Sequence, residues 1–86
     1  MHIKSSVQKK GNEIIVKKGS KRVIFPLDQV QKIRELDVFK TMPLGLKAKL
    51  LYTPATDIIV LTNKISEASI KMPKSNFCKL LQSIGV

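Results

Sequence analysis

The sequence predicts an α+β domain, an antiparallel sheet system backed by two helices and built as a βββα unit that occurs twice. Three observations lead there. The hexapeptide Gly11 to Val16, GNEIIV, returns as Ala55 to Val60, ATDIIV, with a small residue, a polar one, an acid, two isoleucines and a valine in the same order. Each copy is followed by a polar or basic turn, a short β-rich run that ends in proline, and an amphipathic helical stretch. Each is preceded by a short alternating stretch, HIKSSV before the first and KAKLLY before the second. Self-similarity at such a period marks one supersecondary unit used twice. The reading is a single domain over residues 1–86, with repeat one at 1–37, a joint at 38–45 and repeat two at 46–86.

The elements follow in order. His2 to Val7 alternates, and QKKGN turns the chain, because Gly11-Asn12 supplies the positive backbone angles that a tight hairpin needs. Asn12 to Lys18 is β-rich, KKGSK turns around Gly19, and Arg22 to Phe25 completes a three-stranded meander. Pro26 ends the pairing, since it has no N–H to give. A helix is expected from Asp28, with Asp28 as its cap and Gln31 at capping-box spacing. Leu27, Val30, Ile33 and Leu36 recur every third residue and form its apolar stripe. The stretch DVFKTMPLG joins the copies: Pro43 and Gly45 argue against regular structure, and Val38, Phe39 and Met42 are too apolar for a free linker. It is expected to lie across the sheet or against a partner subunit.

In the second copy Leu46 to Tyr52 alternates, with Ala48, Leu50 and Tyr52 on one side and Lys47, Lys49 and Leu51 on the other. TPAT is a turn with Pro54 at its start, and Ile58 to Leu61, apolar on both faces, suits a central strand. After TNKISE, Ala68, Ile70 and Met72 alternate with Ser69 and Lys71, and Pro73 again ends the pairing. Ser75 is the expected cap of the second helix, whose Phe77, Leu80, Leu81 and Ile84 show i, i+3, i+4, i+7 spacing before Gly85.

Eighty-six residues make one domain, and units of about 40 residues are too small to fold alone, so both copies should share one core. The single cysteine, Cys78, excludes an internal disulfide framework and a multi-cysteine zinc site, and it sits in an apolar helical pattern as a small hydrophobe. No secretory h-region or membrane-length apolar run is visible, so a cytoplasmic or otherwise intracellular place, nucleoid or nucleus included, is expected. Catalytic signatures are absent: the glycines are isolated turn residues, the only histidine is His2, and the six acids are scattered. The chain reads as a non-enzyme without a cofactor or metal.

Charge is what points to a partner. Sixteen Lys and Arg against six Asp and Glu leave a formal net charge of +10. Seven of the cations (Lys4, Lys9, Lys10, Lys17, Lys18, Lys21 and Arg22) fall in the first 22 residues, where Glu13 is the only acid. Such a field favours polyanions, nucleic acid first. Lys17, Lys47, Lys49 and Lys71 are expected on strand faces turned away from the helices. Lys9, Lys10, Lys18, Lys21 and Arg22 are expected at turns that line one end of the sheet. Cations so placed can follow a phosphate backbone and make binding salt-sensitive. Single-strand binders add aromatic platforms for base stacking; the candidates are Tyr52, beside the TPAT turn, and then Phe39, while Phe25 and Phe77 belong to the core. A homodimer is expected from the apolar helix faces and joint. The alternative class is an adaptor or inhibitor that docks on an acidic protein, and a membrane-surface role is disfavoured because neither helix sets a basic face against bulky aromatics.

A meander closed by a helix, present twice, resembles the Pur and Whirly type of single-stranded nucleic-acid binder, and KKGSKRVIFPLDQVQKIREL resembles the end of such a unit. That resemblance implies a curved sheet that binds the strand, with helices behind it that help to make dimers. The chain departs from it in having three strands per copy where those families have four, and in having few sheet aromatics. SKRVIFPLDQVQKIRELDV followed by KAKLLYTPATDIIVLTN also resembles an AbrB-type swapped-hairpin regulator, and SIKMPKSNFCKLLQSIGV resembles the same strand–helix piece. This second resemblance implies a duplex-DNA-binding transcription regulator or antitoxin, with Lys17, Lys18, Lys21 and Arg22 facing the DNA.

Overall fold

Period-two alternation produces seven strands, seen in a computed structural model that describes residues 4–86. The expected strand at His2 to Val7 lies partly outside those residues. Strands β1 (Ser5–Lys10), β2 (Glu13–Lys18) and β3 (Lys21–Pro26) form one antiparallel sheet in the order β1-β2-β3. A 3-10 turn (Leu27–Gln29) leads into the short helix α1 (Val30–Arg34). Strands β4 (Lys40–Leu44), β5 (Ala48–Thr53), β6 (Ile58–Asn63) and β7 (Ser69–Pro73) form a second antiparallel sheet in chain order, and helix α2 (Lys74–Ser83) follows. The class is α+β, with two antiparallel sheets and two short helices.

The halves are unequal, which corrects the expectation of three strands each. The joint is not irregular: its residues 40–44 are β4, paired with β5 from Lys40 opposite Tyr52 to Leu44 opposite Ala48. Pro43 is tolerated there because β4 is an edge strand, paired on one side only. Met42 and Leu44 turn inward while Val38 and Phe39, just before the strand, stay exposed.

One core serves both sheets. Val7, Val16 and Val23 form a cross-strand row on the inner face of the first sheet, and Ile14 sits opposite Phe25. Leu50, Leu61 and Ile70 form the matching row on the second, beside Tyr52, Ile59 and Met72. Val30, Ile33 and Leu36 from the first helical segment and Phe77 and Leu81 from α2 join the same cluster. Each such side chain contributes roughly 1.5–3 kcal/mol by leaving water. The halves meet where β3 lies against β5, β6 and β7, and where α2 packs on β1 as well as β7. Phe25 and Phe77 meet across that seam with ring centroids 6.2 Å apart and planes tilted by 40°.

The pairing also corrects the alignment of the two halves. Glu13 lies opposite Pro26 and Ile58 opposite Pro73, so positions equivalent by pairing are 45 apart, whereas Gly11 and Ala55 are 44 apart. GNEIIV and ATDIIV are thus one residue out of step with the sheets. A one-residue shift exchanges faces: the buried pairs are Ile14 with Ile59 and Val16 with Leu61, not Ile14 with Ile58.

Neither helix is capped as expected. Pro26 and Pro73 stand at the two helix starts without any side-chain cap bond. Asp28 accepts from its neighbour Gln29, and Gln31 donates to Glu35, so no capping box forms. Ser75 lies inside α2; its backbone N–H donates to the Asp57 carboxylate at 3.2 Å, and the Lys74 N–H donates to the Asp57 carbonyl at 2.6 Å. The acid that caps α2 comes from the β5–β6 turn. A similar backbone bond starts the first helical segment, from the Leu27 N–H to the Asn12 carbonyl at 2.8 Å.

Candidate nucleic-acid interface

Tight hairpins set the position of the basic residues. The β2–β3 hairpin closes through Gly19 and Ser20, with Gly19 at φ 62°, so Lys18 faces Lys21 and Lys17 faces Arg22 across adjacent strands. Strands lie about 4.8 Å apart, and four cations are therefore held together at one hairpin end. Alternation turns Lys17 and Arg22 to the outer face of the first sheet, one step past Ile15 and Ile24. Lys18 points the other way, and its ammonium donates to the Lys71 carbonyl on β7 at 3.1 Å.

That bond brings the hairpin end beside the β6–β7 turn, and a cleft of about 650 Å3 lies between them. Lys17, Gly19, Ser20, Lys21 and Arg22 line one wall, and Asn63, Ser66 and Ala68 line the other. A smaller adjoining cleft of about 260 Å3 shares Lys21 and adds Lys18, Lys71, Ser69 and Val60. Neither lining contains a carboxylate; Glu67, in the same turn, is exposed and not part of either wall. The polar wall is braced by three hydrogen bonds: the Asn63 side chain accepts the N–H groups of Ile65 and Ser66, and the Asn63 N–H donates to the Ala68 carbonyl.

Five of the ten residues expected at the site thus converge: Lys17, Lys18, Lys21, Arg22 and Lys71. The others do not. Lys9 and Lys10 were expected at the same sheet end, but successive hairpin turns lie at opposite ends of a meander. Lys10 is five residues along β1 from Ser5, the partner of Lys18, or about 17 Å at about 3.4 Å per residue. Lys49 is exposed on the outer face of β5, between Pro43 and Thr62. Lys47 lies in the β4–β5 turn rather than on a strand, and lines a separate cleft with Glu13, Ile24 and Leu46.

Tyr52 is not a stacking platform. It is 6 % exposed, part of the shared core, and its hydroxyl donates to Asp57 Oδ1 at 3.2 Å. Burial and the neighbouring Asp57 raise its pKa above the ordinary 10.0. Asp57 is shifted the other way, below 3.8, chiefly by the Ser75 N–H that it accepts and in part by Tyr52 and Lys74. The Lys74 ammonium sits 5.3 Å from the Tyr52 ring centroid and donates to the Leu36 carbonyl. This group clasps α2 to the second sheet and to the end of the first helical segment; it builds the scaffold, not the cleft. Phe39 is 66 % exposed but lies at the Tyr52 end of β4, away from the cleft.

Asn63, Ser66 and Ser20 are lining residues that the charge pattern could not single out. The signal for Asn63 was local: an Asn opening a turn accepts N–H groups two and three residues on. Among the described residues no group of three or more His, Cys, Asp or Glu side chains gathers, and no helix is long and apolar enough to cross a membrane. Comparison with family models, with curated protein sequences and with solved structures finds no match to this chain, so its own residues and geometry carry the functional reading.

Proposed function

We propose that the protein binds nucleic acid, single-stranded DNA or RNA in the first place, by holding phosphates in the cleft between the β2–β3 hairpin and the β6–β7 turn. The observation that carries this reading is the convergence of Lys17, Lys18, Lys21, Arg22 and Lys71, drawn from both sheets, on clefts without a carboxylate in their walls. Serine hydroxyls and the Asn63 amide beside them suit phosphate oxygens. No enzymatic step is proposed, and no cofactor. Duplex DNA, contacted by an AbrB-like regulator, is the second reading; it is favoured by the absence of an aromatic residue from the lining, since duplex binding needs no stacking platform.

The scaffold is proposed to derive from a duplicated strand–strand–strand–helix unit. The paired inner rows, the proline at each sheet's end and the two similar bonds to Asn12 and Asp57 support this. The four strands of the second half also match the Pur and Whirly pattern in number. A homodimer is proposed at the end of the second sheet away from the cleft, where Val38 and Phe39 are exposed beside the unpaired edge of β4. A cytoplasmic or nucleoid place follows from such a partner.

The test is direct titration of the full chain with labelled single-stranded and double-stranded oligonucleotides of one sequence at near-physiological salt. Tighter binding to the single strand supports the first reading, and tighter binding to the duplex selects the second. No measurable binding to either, with capture of an acidic protein instead, replaces both with the adaptor reading.

A further inference from the structure

Two of the four large apolar side chains that the described residues leave in water lie in two neighbouring turns, one of which borders the cationic cleft. Leu46, 95 % exposed, lies in the β4–β5 turn, and Ile65, 72 % exposed, lies in the β6–β7 turn. These turns are joined, because the Lys64 N–H donates to the Lys47 carbonyl at 2.7 Å. The joined turns form a ledge that presents Leu46, Lys47, Lys64 and Ile65, two basic residues with an apolar one beside each. It is anchored at both ends. Gly45, at φ 76°, lies so close to Pro26 that a Cβ on it would fall 2.8 Å from the proline ring, and Asn63 holds the backbone of Ile65 and Ser66.

β3 runs along this ledge. At its Pro26 end, Ile24, Pro26, Leu44 and Leu46 line a cleft of about 310 Å3, with Glu13 and Lys47 as its two charged residues. At its other end, Lys21 and Arg22 line the cationic cleft with Asn63 and Ser66. Ile24 and Arg22 are alternate residues on one face of β3, so the mainly aliphatic cleft and the cationic one follow each other along one strand, roughly 7 Å apart. A chain of phosphates held at Arg22, Lys17 and Lys21 would carry its attached groups past Ile24, Leu46 and Ile65. In a duplex the base faces are stacked and paired and cannot reach such a shallow ledge; in a single strand they are free to lie on aliphatic surface.

We infer that the Leu46–Lys47–Lys64–Ile65 ledge is the base-contacting side of a single-strand track along β3, with the aliphatic side chains under unpaired bases and the two lysines on the intervening phosphates. This rests on the single-strand reading above and adds to it where the bases lie.

Leu46 and Ile65 are in water, so the L46S/I65S variant should keep the urea midpoint of the parent and can be judged on binding alone. The probes are an oligodeoxythymidylate, an abasic strand of equal length, a matched duplex, and phosphatidylserine vesicles. The parent should bind the oligodeoxythymidylate more tightly than the abasic strand or the duplex. L46S/I65S should lose about tenfold on oligodeoxythymidylate, with no change on the abasic strand and none in salt dependence. Equal binding of the two single strands by the parent overturns the inference while leaving phosphate binding intact. So does an unchanged affinity of the variant for oligodeoxythymidylate. Binding to vesicles that the double substitution abolishes, without effect on any nucleic acid, reassigns the ledge to a lipid surface. Failure of the parent on every nucleic acid removes the underlying reading as well.

Discussion

Neutralising the exposed cations of the β2–β3 hairpin end should change how steeply binding depends on salt, not only how tight it is. Lys17, Lys21 and Arg22 are exposed and their stems lie outside the core, so K17S/K21S/R22S should fold as the parent does. Five cations converge on the two clefts. If each meets one phosphate of a single strand, and Lys47 and Lys64 of the ledge meet one each, log K falls against log salt with a slope of about −4.9, at about −0.7 per phosphate. Affinity then drops about 900-fold between 50 and 200 mM salt, and the triple variant, with Lys18, Lys71, Lys47 and Lys64 left, should drop only about 50-fold over the same interval, a slope of about −2.8. Fluorescence anisotropy of a labelled oligonucleotide at four or five salt concentrations reads both slopes. K9S/K10S serves as the control, because those residues lie at the far end of β1 and should leave the slope alone. A triple variant that keeps the parent slope, or a control that flattens it, would refute the placement of the phosphates.

Other expectations concern the scaffold. Alanine at Gly11, at φ 60° with open space around it, should cost about 1–2 kcal/mol for the left-handed backbone alone. Alanine at Gly45 should cost clearly more in the same urea titration, since its Cβ would also meet the Pro26 ring. Phe77 is fully buried and packs at a tilt against Phe25, so F77A should lose about 3–5 kcal/mol. Against a total of about 4–13 kcal/mol for a chain of this length, that removes from about a quarter to all of the stability, read as a lowered urea midpoint by circular dichroism. Because the folded pKa of Asp57 lies below 3.8, its carboxylate stabilises the fold above that pH, and the contribution is lost as pH falls through the folded value. D57N keeps an acceptor for the Ser75 N–H and accepts the positive φ, so its acid unfolding curve should be flatter than the parent's at the low-pH end.

The sequence made the strands legible wherever alternation met a turn signal. β2, β3, β5, β6 and β7 lie close to their expected places, because Gly19, the TPAT turn and the two sheet-ending prolines punctuate them. β4 was hidden by Pro43, which excludes a central strand but not an edge, and nothing local tells one from the other. The hexapeptide likeness pointed to two related halves yet concealed their register, since Ile-Ile-Val is apolar at every position and pairs equally well with either face. Only the bonds opposite Pro26 and Pro73 decide the phase. The caps misled for a related reason: Asp28 and Ser75 have the right chemistry at the right distance, but Asp57 reaches α2 from 18 residues away. Of the site, the cation cluster was visible as charge density. Its separation from Lys9 and Lys10 needed the hairpin count, and the burial of Tyr52 needed the clasp with Asp57 and Lys74.

The cleft and the core depend on the same strand. β3 sends Val23 and Phe25 inward and Arg22 and Ile24 outward, so residues that fasten the first sheet to the second alternate with residues that line the clefts, and Phe25 serves in both. Neither sheet buries enough surface alone at this chain length; the two must share a core, and the sharing is made along β3. That contact also sets the Lys18–Arg22 hairpin end against Asn63, Ser66 and Lys71, which come from the other half of the chain. A chain with a net charge of +10 would spread its cations over the surface if repulsion alone decided their places. Here five are held together because apolar residues one step away on the same strands require it. Self-repulsion of that kind lowers stability, and a bound polyanion relieves it, so the ligand should raise the unfolding temperature of the domain as well as occupy its cleft.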